Sequence, residues 1–550
     1  MKFYGQMCLL VGGLIAAAVG LAQPAGPPNI LLLVAEDLSP RIGAWGDEVA
    51  RTPNIDALAR QSVRYTQAFT AAGVCAPSRA ALIMGQHQIS FGAQHMRTST
   101  GPLGEYYAQP DPELKAFPEL LRRAGYFTFT DSKLDYQFSG VGAGSGPFTI
   151  WDQEGLQAHW RQRAPTQPFF GLINFLETHE SGVMRMDVEP QNPILARTQR
   201  MRKGYGLVAE PVTDPELIAV PPYYPDIPEV RADMARHYDN IHAMDARVGR
   251  ILAELEADGL SDSTIVIWTT DHGDGLPRAK RELLDTGIHV PMLVHVPEAY
   301  RRSGWSQGSD DDRLVSFVDI APTVLAWADV ELPDGLHGVN FLAGNREYVY
   351  ASRDRIDEIR DRQRAARDLR YKYIRSWAPE IAGGHTLAYR DNLEMVQAMR
   401  ELWLAGGLNA DQARWFEGVG PEQLYDLQAD PDELNNLIHD DELTPVAQRM
   451  RSALDDWLAR VGDTGDVPEA EMRDGFLDEG SVPVTLPPEV VQKDGLLTVE
   501  ADDNASIGYR VAEGDWQLYV KPVELNEQSV EFKAVRYGWR ESAVVAIEPQ

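Results

Sequence analysis

Four apolar runs of this sequence end in side chains that a hydrocarbon core rejects. NILLLVA at 29–35 runs into Glu36-Asp37, and YFTFT at 126–130 into Asp131-Ser132-Lys133-Leu134-Asp135. FFGLINFL at 169–176 runs into Glu177-Thr178-His179, and TIVIWTT at 264–270 into Asp271-His272-Gly273-Asp274. Glu36, Asp37 and Asp271 are hard oxygen donors, and neighbouring buried carboxylates stay ionised together only when a cation lies between them. A divalent metal meets that need. Oxygen-dominated coordination selects Ca2+ or Mg2+, with Ca2+ preferred once four or more protein oxygens contribute. The competing reading, that each acid caps the helix after its strand, uses a common role of Asp, but two strands ending in acid weaken it. Lys133 and His179 add cationic and proton-transferring groups at the same ends, although taken singly such residues are mostly solvated or structural. Lys280, within Arg278-Ala279-Lys280-Arg281, reads on residue type alone as part of a basic loop.

A thiol stands apart from these groups. The stretch GVCAPSRAALIMG at 73–85 holds Cys75, and the other of the two cysteines, Cys8, lies in the leader MKFYGQMCLLVGGLIAAAVGLAQ. One Lys, an apolar run and a small-residue exit at Gly20-Leu21-Ala22 predict a cleaved secretory signal over 1–22. The run is shorter than the ~20 residues that cross a bilayer, so no membrane span is expected. The expectation is an exported protein, periplasmic or extracellular, with a single thiol and no intrachain disulfide.

Positioning such groups requires strands that end together. The four runs and VPMLVHV at 290–296 alternate with helical patterns. The clearest spans 229–257, where Met234, Tyr238, Ile241, Met244, Val248, Ile251, Leu252 and Leu255 recur three or four apart. This alternation predicts an α/β fold: a large mixed, mostly parallel sheet sandwiched by helices. In such sheets ligands bind at the carboxyl ends of the strands, where these polar groups lie. At 550 residues the chain calls for two or three domains. The α/β domain is expected over 27–370, a smaller α+β subdomain over 371–465, and a small immunoglobulin-like β module over 488–550 after an acidic, Pro-marked linker at 463–487. Segment 185–228 reads as an inserted surface loop, 140–146 as a flexible glycine loop, and Arg353–Arg370 as a solvated helix with ion pairs, some of whose arginines could line a substrate entrance. In the tail, Trp516, Tyr537 and Trp539 read as packing residues, with sugar stacking as the alternative. A formal charge of −31 argues against a nucleic-acid partner. It does not exclude a small anionic substrate, because charges beyond a Debye length of about 8–10 Å are screened.

Cys75-Ala76-Pro77-Ser78-Arg79, with Leu82 and Gly85, resembles the C-x-P-S-R-x-x-L-x-x-G signature of the type I sulfatases of the alkaline-phosphatase superfamily. The likeness extends over roughly residues 28–460, through the opening strand with its acid pair and TPNIDAL, WTTDHGD, PRAKRELLDTGIHVPMLV and PEQLYDLQADPDELNNL. It has a broad likeness to the heparan N-sulfatase and bacterial glycan sulfatase branches. This resemblance implies that a formylglycine-generating or equivalent maturation enzyme oxidises Cys75 to formylglycine. It further implies that Glu36, Asp37, Asp271, His272 and the modified Cys75 hold the metal, that Arg79 holds the aldehyde hydrate, and that Lys133, His179 and Lys280 contact the sulfate. In that chemistry one hydroxyl of the hydrate attacks sulfur and the other later expels sulfate by collapsing to the carbonyl. Two positions depart from the family. Glu36 stands where Asp is common, and Lys133-Leu134-Asp135 where many members have Lys-x-His, leaving Asp135 to orient Lys133 or grip a substrate hydroxyl. The expected activity is hydrolysis of a sulfated carbohydrate. The rival expectations are a phosphodiester or phosphonate monoester hydrolase with the same nucleophile, and a non-catalytic glycan-binding relative.

Overall fold

The computed structural model describes residues 26–549; the expected signal at 1–22 and Cys8 lie outside them. No helix among the described residues is long and apolar enough to cross a membrane.

The main sheet has nine strands: β1 (Asn29–Ala35), β2 (Val63–Phe69), β3 (Phe127–Thr130), β4 (Gln153–Glu154), β5 (Phe169–Phe175), β6 (Thr264–Thr270), β7 (His289–His295), β8 (Asp310–Asp311) and β9 (Val315–Ser316). Their order is β4-β3-β5-β1-β6-β7-β2-β8, with β9 also on β2. All seven residues of β1 are buried, as a strand covered on both faces requires. It runs parallel to β5 and β6, pairing Ala35 with Phe175 and Thr270. β3 joins β5 in parallel, so β1, β3, β5 and β6 all deliver their carboxyl ends to one edge. β7 is antiparallel to both β6 and β2, which makes the sheet mixed.

Alternation along β1 feeds two cores. Ile30, Leu32 and Val34 face one side, with α2 (Cys75–Met84), α3 (Phe117–Arg123) and α7 (Ile320–Trp327); Leu31, Leu33 and Ala35 face the other, with α5 (Pro228–Ala257) and α8 (Glu394–Leu404). Each fully buried aliphatic side chain contributes about 1.5–3 kcal/mol, so this double burial anchors the strand ends that carry the site. Of the remaining helices, α1 (Pro53–Ala59) and α6 (Asp285–Ile288) are short, and α4 (Pro193–Gly204) lies in segment 185–228, which is therefore not wholly loop. Its Asn192 side chain caps the helix by accepting from Leu195 N–H, ahead of Pro193 in the first turn.

A second, antiparallel sheet contains β10 (Val349–Ile356), β11 (Ile359–Arg367), β12 (Tyr371–Ser376) and β13 (Glu422–Asp426), and α10 (Thr444–Val461) packs on it through Met450, Leu454 and Trp457. The short helix α9 (Ala410–Ala413) precedes β13. The arginine-rich run Arg353–Arg370 is thus a hairpin and a turn, not a solvated helix. Three of its arginines are buried against acids: Arg353 with Glu282 at 2.6 Å, Arg355 with Glu469 at 2.6 Å, and Arg364 with Asp354 and Asp463 at 2.9 and 2.8 Å, whereas Arg360 and Arg370 are exposed. Glu469 begins α11 (Glu469–Phe476), a helix inside the stretch expected to be a linker.

The tail forms two small sheets around Leu497, Val499, Ile507, Val530 and Phe532. The buried Glu119 of α3 ties them to the main body, accepting hydrogen bonds from Ser506 Oγ at 2.6 Å and Tyr537 Oη at 2.7 Å. Tyr537 stacks on Phe138 with ring centroids 5.0 Å apart, so it packs an interface and is not free to stack on a sugar.

Candidate active site

Cys75 is the first residue of α2, and all ten residues of that helix are buried. Its Sγ lies 3.3 Å from His272 Nε2 and 3.8 Å from Asp37 Oδ1. Helix starts leave backbone N–H groups unpaired and carry the positive end of the dipole, a setting that favours anions. Arg79 reaches from one turn further along. It donates to Glu36 Oε1 at 2.7 Å, Asp271 Oδ2 at 3.2 Å and Asn174 Oδ1 at 2.6 Å, so three strands meet at one guanidinium.

Side chains arrive here because the parallel strands stop in register. Asp271 N–H donates to Ala35 O, and Asp37 N–H to Asp271 Oδ1, while Asp37 itself turns into the left-handed region at φ 46. Gly273 has to be glycine, since a Cβ there would collide with the Thr286 carbonyl. Lys133 donates to Glu36 Oε2 at 2.6 Å, and Lys280 to Asp37 Oδ2 at 2.6 Å. The glycine-rich segment after β3 folds back on this site loop: Lys133 bridges Gly142, and Leu134 N–H and Asp135 N–H donate to Val141 and Gly140 carbonyls. Asp135 Oδ2 sits 3.9 Å from Lys133 Nζ.

Not every acid at a strand end points inward. Asp131 pairs with Arg247 of α5 and accepts from Asn174; Glu177 faces Arg247; Asp274 accepts from Ser39 N–H and pairs with Arg41 and His237. These brace the loops. Three groups of the cluster were not singled out from the sequence. Asn174 is buried in β5, Glu180 donates its N–H to Asp37 Oδ2 at 2.6 Å, and Arg281 forks onto Glu180 at 2.9 and 3.0 Å. Asn174 had a signal, an amide inside an otherwise apolar strand; Glu180 and Arg281 had none beyond adjacency to His179 and Lys280.

The donor set fits a divalent cation. One ligand atom from each of Asp37, Cys75, Asp271 and His272 lies within 4.8 Å of the others, and a second such group joins Glu36, Asp37, Cys75 and His179. His272 Nδ1 faces the Gly273 carbonyl at 2.9 Å, and a carbonyl only accepts, so Nδ1 carries a proton and Nε2 is the nitrogen turned to the acids. Burial pushes the Asp37 carboxyl up, but Lys280 and then His272, by charge and hydrogen bond, outweigh it and hold the group well below the usual range. Asp271 is likewise lowered, burial being overcome by His272, Arg79 and Lys133. For Glu36 burial wins over Lys133 and Arg79 and the carboxyl is raised. Burial lowers His272, yet Asp271, Asp37 and Cys75 raise it to about 10, so without a metal its ring is cationic. A cation between these acids would take the place of that proton.

His179 is held differently. Its Nδ1 accepts from Ser181 N–H at 3.2 Å, which places the neutral ring's proton on Nε2. Burial, then Lys280, Lys133 and Arg97, drive its proton affinity well below the ordinary value against the pull of Asp37.

A family model described as Sulfatase matches residues 28–330. The chain is 36% identical to an ulvan-active sulfatase of Formosa agariphila over 554 residues, 94% of this chain and 91% of that one. It is 30% identical to the N-sulphoglucosamine sulphohydrolase of Homo sapiens over 333 residues, 57% of this chain and 63% of that one. The crystal structure of the phosphonate monoester hydrolase of Agrobacterium radiobacter is similar with a TM-score of 0.54 at 17% identity, covering 79% of this chain and 96% of that one, a likeness of fold alone.

Proposed function

This chain belongs to the sulfatase family, and we propose that it removes sulfate from a sulfated carbohydrate after export, using formylglycine made from Cys75 and a Ca2+ or Mg2+ ion held by Glu36, Asp37, Asp271 and His272. The observation that carries this reading is the convergence of a lone thiol, at a helix start, with three buried carboxylates and the cations Arg79, Lys133 and Lys280. When bound, the ion supplies charge neutralisation at the sulfuryl oxygens, and the formylglycine supplies a hydrated aldehyde as nucleophile. Arg79 fixes the first turn of α2 and so aims position 75 between Asp37 and Asp271. Lys133 and Lys280 donate to the ester's oxygens once an anion competes for them with Glu36 and Asp37. His179, in its neutral form, donates a hydrogen bond from Nε2 to the leaving oxygen as charge builds there.

Position 75 is fully buried, so the maturation enzyme has to act before the chain folds. Substrate comes first from the relatives: ulvan, then N-sulfated glucosamine. Mature enzyme is expected to hydrolyse p-nitrophenyl sulfate and sulfated oligosaccharides. A rate on p-nitrophenyl phosphodiesters more than ten-fold above that on the sulfates would overturn this in favour of the phosphodiester reading.

Two solution measurements follow from the electrostatics. Loading metal-free protein with Ca2+ near pH 7 should release about one proton from His272, read by calorimetry in buffers of different ionisation enthalpy; no buffer dependence would remove His272 from the ligand set. Because His179 is already neutral in the free protein, kcat/KM should stay flat as pH falls through 6.5, where an ordinary histidine titrates. A fall with an apparent pKa near 6.5 that disappears in His179→Ala would contradict that assignment.

A further inference from the structure

Beside the cluster, one guanidinium is only partly engaged. Residues 95–98 are pinned on both sides: Met96 N–H donates to Arg355 O at 2.8 Å, Arg355 Nη1 donates to Met96 O at 3.0 Å, and Thr98 N–H donates to the Gln137 side chain at 3.3 Å. Met96 shares one buried apolar cluster with Val74, Cys75, Ala76 and Ile356. Arg97 follows it in the left-handed region, φ 51, a conformation that costs a non-glycine residue about 1–3 kcal/mol and persists where the surroundings enforce it. Its side chain is 34% exposed, and its carboxylate partner is Asp135 Oδ2 at 3.5 Å, an oxygen also 3.9 Å from Lys133 Nζ. That is long for a charge-assisted hydrogen bond, which falls near 2.7–2.9 Å as a general range; among the described residues Arg97 Nη1 makes no hydrogen bond, and Nε is buried without a partner. Arg79 and Arg281, the other guanidiniums of the site, are spent on closer acids. Asp357, at the β10–β11 turn, is taken by Arg281 Nε at 3.0 Å and so does not compete for Arg97. Half-buried His179 and Tyr389, with rings 6.4 Å apart, lie near enough for the Arg97 charge to act on both.

We propose that Arg97, steadied by Asp135, is a specificity-determining residue that binds a second anionic group of the substrate, a carboxylate or a further sulfate borne by the sugar whose sulfate ester lies at Cys75 or by the adjoining sugar. The inference rests on the sulfatase reading of the site. A planar guanidinium with free donors matches either anion bidentately, and the neighbouring cations Lys133, Lys280 and Arg79 favour a polyanionic ligand. Asp135 holds the fork without saturating it.

The test uses mature enzyme and Arg97→Asn, since Asn tolerates a left-handed backbone, with Arg97→Lys as the second variant. Substrates are p-nitrophenyl sulfate, a monosulfated neutral monosaccharide, a sulfated uronate disaccharide and a disulfated disaccharide. In Arg97→Asn the ratio of kcat/KM on the anionic disaccharide to that on p-nitrophenyl sulfate should fall by about 10–100-fold, mainly through KM. Arg97→Lys should recover part of it, and whichever disaccharide shows the fall identifies the anion. Equal losses on all four substrates, or no loss on either disaccharide, overturn the proposal. Should mature wild-type enzyme turn over none of them, the sulfatase reading fails by itself. Arg97 is then judged by equilibrium binding of the uronate and disulfated disaccharides to Cys75→Ala protein, where a ten-fold weakening in Arg97→Asn supports it and unchanged binding of both overturns it.

Discussion

Cys75→Ala is expected to lower kcat by about 10⁴-fold or more, the scale on which loss of a covalent nucleophile acts when the rest of the site stays intact. The background for so clean a result is structural. Cys75 is fully buried, with apolar neighbours Val74, Ala76, Met96 and Ile356, and alanine fits the first turn of a helix without new volume. The Arg79 contacts to Glu36, Asp271 and Asn174 do not pass through the sulfur, so the carboxylates remain placed. Stability should therefore change far less than activity. Retention of activity within ten-fold, on protein whose melting transition matches wild type, would remove Cys75 from the chemistry.

Arg79→Ala should show the opposite balance, a large stability effect alongside lost activity. The guanidinium is buried and serves two buried carboxylates and one amide. Removing one partner of a buried ion network leaves charge uncompensated and typically costs about 3–5 kcal/mol. Glu36, already raised by burial, would rise further without Arg79, and Asp271 would lose one of the groups that lower it. Urea unfolding in the metal-free state should move to a lower midpoint with an unchanged slope. A shift below about 1 kcal/mol would mean that Lys133 and His272 alone hold the acids.

What was legible in the chain follows from burial. β1, β5 and β6 read from their letters because both faces are covered and the apolar run is continuous. β2 was not singled out, since VRYTQAF near one side of the sheet alternates buried with half-buried residues. The Arg353–Arg370 run misled for a related reason: its charges occur at spacings that suit a helix, and the acids that neutralise them in strands, Glu282 and Glu469, lie 71 and 114 residues away. Strand-end acids announced a polar centre, yet which of them face it depends on partners such as Arg247 for Asp131 and Arg41 for Asp274. Arg97 gave no sign in the sequence, because its significance lies in what its donors leave unmade.

In the proposed chemistry the sulfur of Cys75 is replaced by a carbonyl on which turnover depends. Mass spectrometry of the peptide spanning residue 75, from protein made in a host with the maturation enzyme, reads this directly as a loss of about 18 Da when thiol becomes aldehyde. Across preparations of differing conversion, kcat on p-nitrophenyl sulfate should be proportional to the aldehyde fraction. Full activity in protein whose residue 75 is entirely thiol would contradict the account.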